Sequence, residues 1–286
     1  MKKILVTGAN GQLGQCLQKI SSQFEEFEFI FTDSETLDIT NKEEVNDFFW
    51  QNAPDFCINA AAYTAVDLAE TDIEKAFLVN ADGTENLAEA CAENNAQFIH
   101  VSTDYVFDGE NNLAYTEEDF TNPLGVYGAS KLAGDELALE VNPCSVILRT
   151  SWVYSEFGKN FVKTMLSLFA TKEELSIVAD QFGQPTNAND LAEAIMKIIK
   201  SEKITPGIFN FSNLGRISWF DFAEKIAELS EAKIKLNAIE TSQYPTPAKR
   251  PKNSVLDLGK ISKTYAIQLK PWEESLEDCV QILQNN

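Results

Sequence analysis

Short apolar runs alternate with segments of helical spacing through the first half of the chain. Five runs have the length of a buried strand, and they are residues 2–7, 27–32, 55–59, 97–102 and 145–149. Four segments carry apolar residues at helical intervals, and they are residues 13–20, 41–52, 70–94 and 127–139. Strands that alternate with helices predict an α/β fold with a doubly wound parallel sheet of the Rossmann type.

The pattern becomes more interrupted after about residue 152. Two further strands are predicted at 174–178 and 207–211, and helices at 160–170, 188–200 and 219–229. These pieces are too scattered for a second complete parallel sheet. We therefore expect residues 1–152 to form a dinucleotide-binding domain, with later elements up to about residue 230 interleaved with it. Residues 153–286 would then form mainly a smaller α/β substrate-binding cap.

Composition excludes some classes of function. The net charge of −21 argues against nucleic acid and anionic membrane surfaces as partners, because both repel an acidic protein. The five cysteines are scattered and include no CxxC pair, which indicates reduced thiols in a cytoplasm. The first strand begins directly after Met1, without room for a signal peptide, and no apolar run is long enough to span a bilayer. We expect a cytoplasmic protein.

The first strand leads into a glycine-rich turn. Gly8, Gly11 and Gly14 lie between that strand and the first helix, with the spacing GxxGxxG instead of GxGxxG. Glycines let the backbone approach a phosphate closely, and the free N–H groups at the helix start point at the anion. The turn therefore predicts a dinucleotide site, and the alternative is a plain strand-to-helix turn.

An acidic residue follows the second strand at the distance expected of a ribose ligand. Asp33 lies 19 residues beyond Gly14, where a carboxylate can accept hydrogen bonds from the adenosine ribose and repel a 2′-phosphate. The segment offers no Arg or Lys before Lys42, so we expect NADH at least as much as NADPH. The alternative for Asp33 is an acidic turn residue. Asp38 is expected to cap the next helix, to lie against the adenine, or both.

Two further features, the segment of residues 60–64 and His100, are each compatible with a role in the site or with packing alone. Residues 60–64 begin with three alanines directly after the third strand, which permits close approach of a cofactor or simply tight packing. His100, the only histidine, lies inside the fourth strand and is interpreted as a packed strand residue. A Ser–His–Asp hydrolase would depend on this histidine, and the chain has no GxSxG motif.

Tyr127 and Lys131 are the strongest candidates for chemistry. They are four residues apart and therefore lie on one face of a helix. An ammonium beside a phenol would lower the pKa of the phenol and prepare it as a proton donor or acceptor. The lysine can also bind the ribose of a nicotinamide. Residues 102–107 (STDYVF) place hydroxyl and carboxyl groups at the carboxyl end of the fourth strand, where α/β folds locate their sites.

Three features outside these motifs are candidates for substrate contact. Residues 110–123 are polar and are expected to form a surface loop over the site. Trp152 follows the fifth strand and is expected either to line a substrate pocket or to pack under a loop. Residues 244–254 hold three prolines and three positive charges. Arg250 in that segment is expected to meet an anionic group such as a diphosphate, unless the loop is only a solvated basic surface.

The chain resembles a known family over nearly its whole length. The matching motifs are VTGANGQLG (residues 6–14), INAAAYTAVDLAE (58–70), VSTDYVFDG (101–109), RTSWVY (149–154), DQFGQPT (180–186) and YPTPAKRPKNSVLD (244–257). Together they resemble the extended short-chain dehydrogenases/reductases, and within that superfamily the dTDP-4-dehydrorhamnose reductase family. The glycine-rich motif is widespread in the superfamily, whereas the blocks around residues 60, 150 and 250 are much narrower.

The resemblance implies a reaction and a set of roles. It implies NAD(P)H-dependent reduction of the C4 keto group of dTDP-4-dehydro-L-rhamnose, with Tyr127 as proton donor assisted by Lys131 and Thr103. It implies substrate contacts from Asp104, Tyr105 and Trp152, in addition to Thr103. The cofactor residues that it implies are Gly11, Gln12 and Leu13 for the diphosphate, Asp33, Asp38 and Ile39 for the adenosine half, and Ala62, Tyr63, Thr64 and Val101 for the rest.

Two other functions stay open at the level of sequence. One is another sugar-nucleotide reductase or epimerase of the same superfamily. The other is a non-catalytic NADP-binding regulatory subunit, although the Thr103, Tyr127 and Lys131 set speaks against it. No cluster of residues has recognisable metal spacing, so we expect no metal. A homodimer is possible.

Overall fold

A computed structural model describes residues 1–285 of the chain. The strands in chain order are β1 (Lys2–Thr7), β2 (Phe27–Phe31), β3 (Phe56–Asn59), β4 (Gln97–Thr103), β5 (Val146–Thr150), β6 (Val153–Tyr154), β7 (Glu174–Val178), β8 (Phe182–Gly183), β9 (Thr186–Asn187), β10 (Gly207–Asn210), β11 (Ile217–Ser218) and β12 (Lys235–Ile239).

The helices in chain order are α1 (Gln12–Ser21), α2 (Lys42–Asn52), α3 (Val66–Ala69), α4 (Ile73–Phe77), α5 (Gly83–Glu93), α6 (Val126–Val141), α7 (Phe161–Phe169), α8 (Ala188–Ile199), α9 (Trp219–Leu229), α10 (Gly259–Tyr265) and α11 (Trp272–Gln284). A π-helical segment at Leu78–Asp82 joins α4 to α5, and 3₁₀ turns lie at Asp104–Val106 and Thr241–Gln243.

Six strands form the central sheet in the order β2-β1-β3-β4-β5-β10, and all neighbouring pairs are parallel. This confirms the predicted doubly wound α/β fold. The chain places β2 on one side of β1 and then crosses to place β3 on the other side. The strand order therefore reverses between β1 and β3, and a crevice opens there at the carboxyl ends of the strands.

Alternating residues of β1 divide the core into two layers. Ile4 and Val6 face α1 and α8, whose Leu17 and Ile195 are fully buried against the same side of the sheet. Leu5 points to the opposite face and packs with residues of α2, α5 and α6. This is the side-chain period of two that a strand buried on both faces shows, and it explains the continuous apolar runs in the sequence.

The second half of the chain contributes to both parts of the molecule. Three two-stranded sheets, β6–β9, β7–β12 and β8–β11, are accompanied by α7, α9 and α11 around their own apolar core. Tyr154, Phe222 and Trp272 are the large aromatic residues of that core. By contrast, β10 returns to the central sheet and α8 packs on α1. The residue at which one domain ends and the next begins stays a prediction.

The predicted helix over residues 70–94 is interrupted. The helical path starts at Ile73 and loosens into the π-helical segment before α5. The wider turn contains Asn80, whose buried side chain accepts from the backbone N–H of Tyr63 at 2.8 Å and donates to the Ser130 hydroxyl at 3.0 Å. These tertiary bonds explain a local conformation that apolar periodicity alone did not predict.

Three elements beyond residue 229 were missed, namely β12, α10 and α11. The α11 helix buries Trp272, Leu276, Cys279 and Val280, a spacing that does indicate one apolar helix face. Within residues 1–285 no helix combines the length and apolarity needed to cross a membrane. All five cysteines are free thiols.

We expect Gly134→Ala to destabilise the fold. A Cβ at Gly134 would lie 2.0 Å from the carbonyl oxygen of Asn80, so α6 would have to move away from the π-helical segment. Overpacking of this kind costs about 1–3 kcal/mol in the free energy of unfolding, which denaturant titration measures.

The matched control is Gly259→Ala in α10, where the added Cβ meets only the flexible carboxylate of Asp257 at 3.0 Å. It should change the free energy of unfolding by less than about 1 kcal/mol, the scale of helix propensity. Equal effects of the two substitutions would contradict the tight packing of α6.

Candidate active site

A cavity of about 900 Å³ lies along the carboxyl ends of β1, β3 and β4. It is bounded by the β1–α1 turn, by the start of α6, and by Trp152 and Trp219 at the edge of the apolar core around α7, α9 and α11. The predicted site residues that line it are Gly8, Gly11, Gln12, Leu13, Asp33, Asp38, Ile39, Ala62, Thr64, Val101, Thr103, Asp104, Tyr105, Tyr127, Lys131 and Trp152. Tyr63 and Arg250 do not line the cavity.

The β1–α1 turn is shaped by close backbone contacts. Gly8 has a φ of +69°, and a Cβ there would lie 2.6 Å from the backbone nitrogen of Ala61. A Cβ at Gly14 would lie 2.4 Å from the carbonyl oxygen of Gly8. Gly11 precedes α1 without a side-chain cap, so no side chain satisfies the first N–H groups of the helix. This end of the cavity is therefore suited to an anion.

Gln12 connects the same turn to the second half of the chain. Its amide oxygen accepts from Asn160 at 2.8 Å and from the Ser155 hydroxyl at 3.1 Å. Its amide nitrogen donates to the carbonyl of Val153 at 3.3 Å. With the side chain engaged in this way, the backbone of Gln12 is the part of the residue available to a ligand.

The acidic end of the cavity is held by short-range hydrogen bonds. Asp33 accepts from the Thr36 hydroxyl at 2.9 Å and from the Asn10 amide at 2.6 Å. The Thr36 bond is the main reason that the pKa of Asp33 lies below its usual value. Asp38 accepts from the backbone and hydroxyl of Thr40, whereas Asn41 caps α2. The expectation that Asp38 caps this helix was therefore wrong.

Some residues of the segment after β3 line the cavity, and others make contacts that support the fold. Ala60, Ala61, Ala62 and Thr64 line the cavity, whereas Tyr63 turns away and donates its hydroxyl to Asp72 at 3.2 Å. The backbone of Tyr63 is fixed from both sides by the Asn80 amide. The structure therefore gives Tyr63 a supporting position instead of direct contact with the cavity.

Thr103 and Tyr127 meet at the carboxyl end of β4. The Thr103 hydroxyl donates to Asp104 at 3.1 Å and accepts from the Tyr105 N–H at 3.2 Å, and both Thr103 and Tyr127 line the cavity. The Tyr127 ring packs edge-on against Tyr105, with centroids 5.5 Å apart. Desolvation raises the pKa of Tyr127 to about 12, although the Thr103 hydroxyl opposes the shift.

Lys131 does not have the effect on Tyr127 that the sequence suggested. Its ammonium nitrogen lies 2.8 Å from the carbonyl of Val101 and 3.0 Å from Nε2 of His100. Burial lowers the pKa of Lys131 to about 8. Desolvation of the phenol is therefore the dominant influence on the pKa of Tyr127, and Tyr127 is protonated at neutral pH. A protonated phenol is suited to donating a proton.

His100 makes a contact with Lys131 that sequence analysis missed. It is fully buried and packed in β4 as predicted, with its ring stacked on Phe98. Its Nε2 nevertheless reaches Lys131, and burial lowers its pKa well below the usual value. No local pattern reveals this contact, because it depends on the docking of α6 over the end of β4.

Two tryptophans close the opposite side of the cavity. Trp152 has a left-handed backbone, with φ of +47°, and stacks on Trp219 with ring centroids 3.5 Å apart. A Cβ at Gly183 would lie 2.5 Å from the Trp152 ring, so the indole is held from behind. Trp152 lines the cavity, and Trp219, which the sequence did not single out, lines it as well.

The 110–123 loop lies elsewhere, and none of its residues lines the cavity. Tyr115 forms a β-bridge with Leu256, and Glu117 accepts from the backbone N–H of Asn210 at 2.8 Å. These contacts fix the loop on the central sheet near β10. The expectation that it covers the site was wrong.

Arg250 has a carboxylate partner within the chain. Its guanidinium donates two hydrogen bonds to Asp67 of α3, at 2.8 and 3.0 Å, and a third to the carbonyl of Ala248 at 3.1 Å. This bidentate pair attaches the 244–254 segment to the region after β3. The guanidinium lies outside the cavity lining, so contact with a ligand would require it to leave Asp67.

Comparison with known proteins now gives the family. The profile described as RmlD substrate binding domain matches residues 1–285. A dTDP-4-dehydrorhamnose reductase from Aggregatibacter actinomycetemcomitans is 45% identical over 97% of this chain and 98% of its own length. This chain belongs to the dTDP-4-dehydrorhamnose reductase family. It is thus an oxidoreductase of the short-chain dehydrogenase/reductase type.

Solved structures of the family superpose closely on the chain. A dTDP-4-dehydrorhamnose reductase from Clostridium acetobutylicum has a TM-score of 0.94 at 43% identity and covers 99% of both chains. A second one, from Bacillus anthracis in complex with NADP, has a TM-score of 0.95 at 39% identity and covers 99% of this chain and 100% of that one. The family resemblance predicted from the sequence motifs is confirmed.

Asp104 provides a test of how strongly this family member desolvates its site. The carboxyl is buried, and desolvation raises its pKa to about 6 although the Ser254 and Thr103 hydroxyls oppose the shift. A carboxyl with a raised pKa destabilises the fold when it is ionised, so this cost is absent at low pH and grows as pH rises through about 6. We expect Asp104→Asn to raise the free energy of unfolding by about 2 kcal/mol more at pH 7.5 than at pH 4.5.

The exposed Asp47→Asn substitution is the control and should show no such difference between the two pH values. Denaturant titration of the three proteins at both pH values gives the comparison. A stabilisation by Asp104→Asn that is the same at pH 7.5 and pH 4.5 would contradict a desolvated carboxyl.

Proposed function

We propose that the chain is an NAD(P)H-dependent reductase that converts dTDP-4-dehydro-L-rhamnose into dTDP-L-rhamnose. The observation that carries the proposal is that Thr103, Tyr127 and Lys131 line one cavity that extends to the glycine-rich turn. One cavity thus joins a proton donor to an anion site. The names of the family relatives supply the substrate.

The cavity fits a nicotinamide dinucleotide. Its uncapped α1 start and the glycine contacts around Gly8 are suited to a diphosphate, which Gly11, Gln12 and Leu13 would hold through backbone N–H groups. Asp33, Asp38 and Ile39 would hold the adenosine half, and Ala62, Thr64 and Val101 the remainder. Tyr63 would not contact the cofactor with its side chain, but its backbone, held by Asn80, would keep Ala62 and Thr64 in place. The Bacillus anthracis relative binds NADP, and we propose NADPH or NADH for this chain.

The residues of the chain account for the proton side of the reduction. A bound reduced nicotinamide would supply the hydride to the C4 carbon of the keto sugar. Tyr127, protonated at neutral pH, donates its proton to the forming alkoxide, which is a much stronger base than the phenolate. The Thr103 hydroxyl, which donates to Asp104 in the free site, would turn to donate a hydrogen bond to the same oxygen while negative charge develops there. Lys131 holds the nicotinamide ribose and, as an ammonium, stabilises the phenolate that remains.

The substrate side of the cavity is polar and aromatic. Asp104 and Tyr105 line it from the end of β4, and the Trp152–Trp219 stack lines it from the cap. We propose that these groups bind the sugar nucleotide, with Arg250 exchanging Asp67 for the diphosphate. A homodimer in the cytoplasm, without nucleic acid or membrane partners, stays a prediction.

No group of three His, Cys, Asp or Glu side chains among residues 1–285 is arranged to hold a metal ion. The steps derived above involve only Tyr127, Thr103 and Lys131 of the chain. The expectation of a metal-free site stays a prediction.

The direct test is turnover of dTDP-4-dehydro-L-rhamnose, formed in the reaction mixture by its upstream enzymes. We expect loss of nicotinamide absorbance with NADPH and with NADH, and dTDP-L-rhamnose as the product. A UDP-linked 4-keto sugar serves as the comparison substrate. Equal turnover of that substrate would overturn the assignment in favour of a broader sugar-nucleotide reductase or an epimerase. Cofactor binding without turnover of any keto sugar, together with a stoichiometric partner enzyme, would favour a regulatory subunit.

Tyr127→Phe should lower the rate of the chemical step by about 10²-fold or more, the usual scale for a positioned general acid. Cofactor affinity should change little, because the ring and the neighbouring Lys131 remain. Single-turnover kinetics and cofactor fluorescence separate the two quantities. Tyr115→Phe, which removes another hydrogen-bonded tyrosine hydroxyl outside the cavity, is the control. A nearly unchanged chemical step in the Tyr127 variant would show that the proton comes from another group.

Asp33→Ala should shift the cofactor preference towards NADPH. The substitution removes a carboxylate that binds ribose hydroxyls and repels a 2′-phosphate, so the ratio of kcat/KM for NADPH to that for NADH should rise about tenfold or more, the scale of a charge-assisted hydrogen bond. Asp47→Ala on the surface controls for the loss of one negative charge. If the ratio stayed the same, Asp33 would not face the ribose.

A further inference from the structure

A row of buried polar groups runs beneath Lys131. It begins at Thr7 of β1, continues through Asn59 of β3 and reaches His100 of β4, and all three side chains are buried. Each member lies within hydrogen-bond distance of the next, at 2.7 Å from Thr7 to Asn59, 3.0 Å from Asn59 to His100 and 3.0 Å from His100 to Lys131. Buried polar groups in one connected network constrain each other's protons.

The orientation of Asn59 is fixed by its partners. Its amide oxygen accepts from the backbone N–H of Ala61 at 3.1 Å and from the Thr7 hydroxyl at 2.7 Å. Its amide nitrogen faces Thr84, whose hydroxyl already donates to the carbonyl of Asn80 at 2.8 Å. The Asn59 nitrogen must therefore act as the donor, and the group that it faces at 3.0 Å is Nδ1 of His100.

This donor determines the tautomer of His100. Nδ1 has to accept, so it carries no proton. The imidazole is fully buried, and burial keeps its pKa well below the usual value, so the ring is neutral. The single ring proton must then be on Nε2, which lies 3.0 Å from Nζ of Lys131.

An Nε2–H group and an ammonium are both donors and cannot hydrogen-bond with each other. The contact is favourable only when Lys131 is a neutral amine that accepts from His100. When Lys131 takes up a proton, it keeps the Val101 carbonyl at 2.8 Å but loses the acceptor that it would need at His100.

We propose that His100 is a positioning residue that controls the charge of Lys131. Held by Asn59 with its proton on Nε2, it favours the amine form of the lysine and directs the ammonium form away from itself, towards the cavity. This inference rests on the proposed function, because an ammonium at Lys131 is what holds the ribose and stabilises the Tyr127 phenolate.

The other charged groups around Lys131 do not cancel this effect. Asp135, one helical turn further along α6, favours the ammonium, and its Oδ1 lies 3.8 Å from His100 Nε2 without a hydrogen-bond partner. Its Oδ2 is engaged by Arg149 at 3.4 Å and by the Ser102 hydroxyl at 2.9 Å. Tyr127 lies one turn earlier on α6 and is a neutral phenol. Arg149 favours the ionised form of Asp135, so Asp135 opposes the effect of His100 without cancelling it, because the pKa of Lys131 still lies below its ordinary value.

The first test uses the fact that the chain contains one histidine. In ¹⁵N-labelled protein without a histidine tag and without cofactor, the two-bond ¹H–¹⁵N spectrum shows a single imidazole. We expect a neutral ring with its proton on Nε2 at neutral pH. A ring protonated on Nδ1, or on both nitrogens, would overturn the proposal. This readout requires no turnover, so it stands apart from the test of the proposed function.

The second test reverses the tautomer. In Asn59→Asp a carboxylate oxygen replaces the amide nitrogen and accepts from Nδ1–H, which leaves the Nε2 lone pair to accept from an ammonium at Lys131. In the natural chain, NADPH affinity should weaken as pH rises through the pKa of Lys131, which is about 8. We call this pH the alkaline limit of NADPH binding. We expect this alkaline limit to move up by about one pH unit, or tenfold in the protonation equilibrium of Lys131.

Asn142→Asp is the matched control, because it also places a carboxylate at a buried asparagine but lies far from Lys131 at the end of α6. It should leave the alkaline limit unchanged. His100→Gln is the second variant, to be used if Asn59→Asp does not fold, since its amide oxygen can accept from the ammonium and should raise the limit as well. An alkaline limit that stays in place in a folded variant, with only a uniform loss of affinity, would overturn the proposal.

Discussion

The site depends on one backbone contact, the approach of the β1–α1 turn to the end of β3. Gly8, in its left-handed conformation, lies so close to Ala60 and Ala61 that a single added carbon would collide with their backbone. The contact brings the uncapped start of α1 to the crevice where the strand order reverses. An anion-binding end and a catalytic end can then share one cavity, because both lie on the same edge of the parallel sheet.

A second close approach prepares the other end of the cavity. A Cβ at Gly128 would lie 2.2 Å from the carbonyl oxygen of Tyr105, and one at Gly134 would lie 2.0 Å from that of Asn80. The absence of side chains at these positions lets α6 pack closely on the turn after β4 and on the π-helical segment, and Tyr127 and Lys131 are buried between these elements and the cavity. Desolvation raises the pKa of the phenol and lowers that of the ammonium, so burial makes the charged form of each group less stable than it is in water. A neutral phenol is the form that a reduction needs.

Local pattern predicted most of the architecture, and the family resemblance supplied most of the predicted cavity-lining residues. The buried strands of the central sheet give unbroken apolar runs, and the glycine spacing and the Tyr127–Lys131 pair have a recognisable geometry of their own. The misplaced residues share one cause, because their partners are distant in sequence. Arg250 pairs with Asp67 across 183 positions and Tyr63 turns towards Asp72 and Asn80, so neither orientation follows from its neighbours in the chain.

Partners that are distant in sequence also explain why the expected lowering of the Tyr127 pKa by Lys131 was wrong. The four-residue spacing showed that Lys131 shares its helix face, but its ammonium nitrogen contacts His100 and Val101, and burial lowers its pKa. None of these is encoded within α6. The π-helical segment around Asn80 arises in the same way, from hydrogen bonds to the β3–α3 connection and to α6.

We propose that a reduced nicotinamide bound in the cavity would transfer hydride to the C4 carbon of a nucleotide-linked keto sugar. Tyr127 would protonate the oxygen at that carbon. The most direct measurement is the position of the label when NADPH deuterated at the transferred position of the nicotinamide C4 is used with dTDP-4-dehydro-L-rhamnose. The account predicts one deuterium at C4 of the product sugar, seen by NMR, and a hydroxyl proton taken from water. Deuterium at any other carbon, or recovery of an isomerised keto sugar without deuterium, would contradict it.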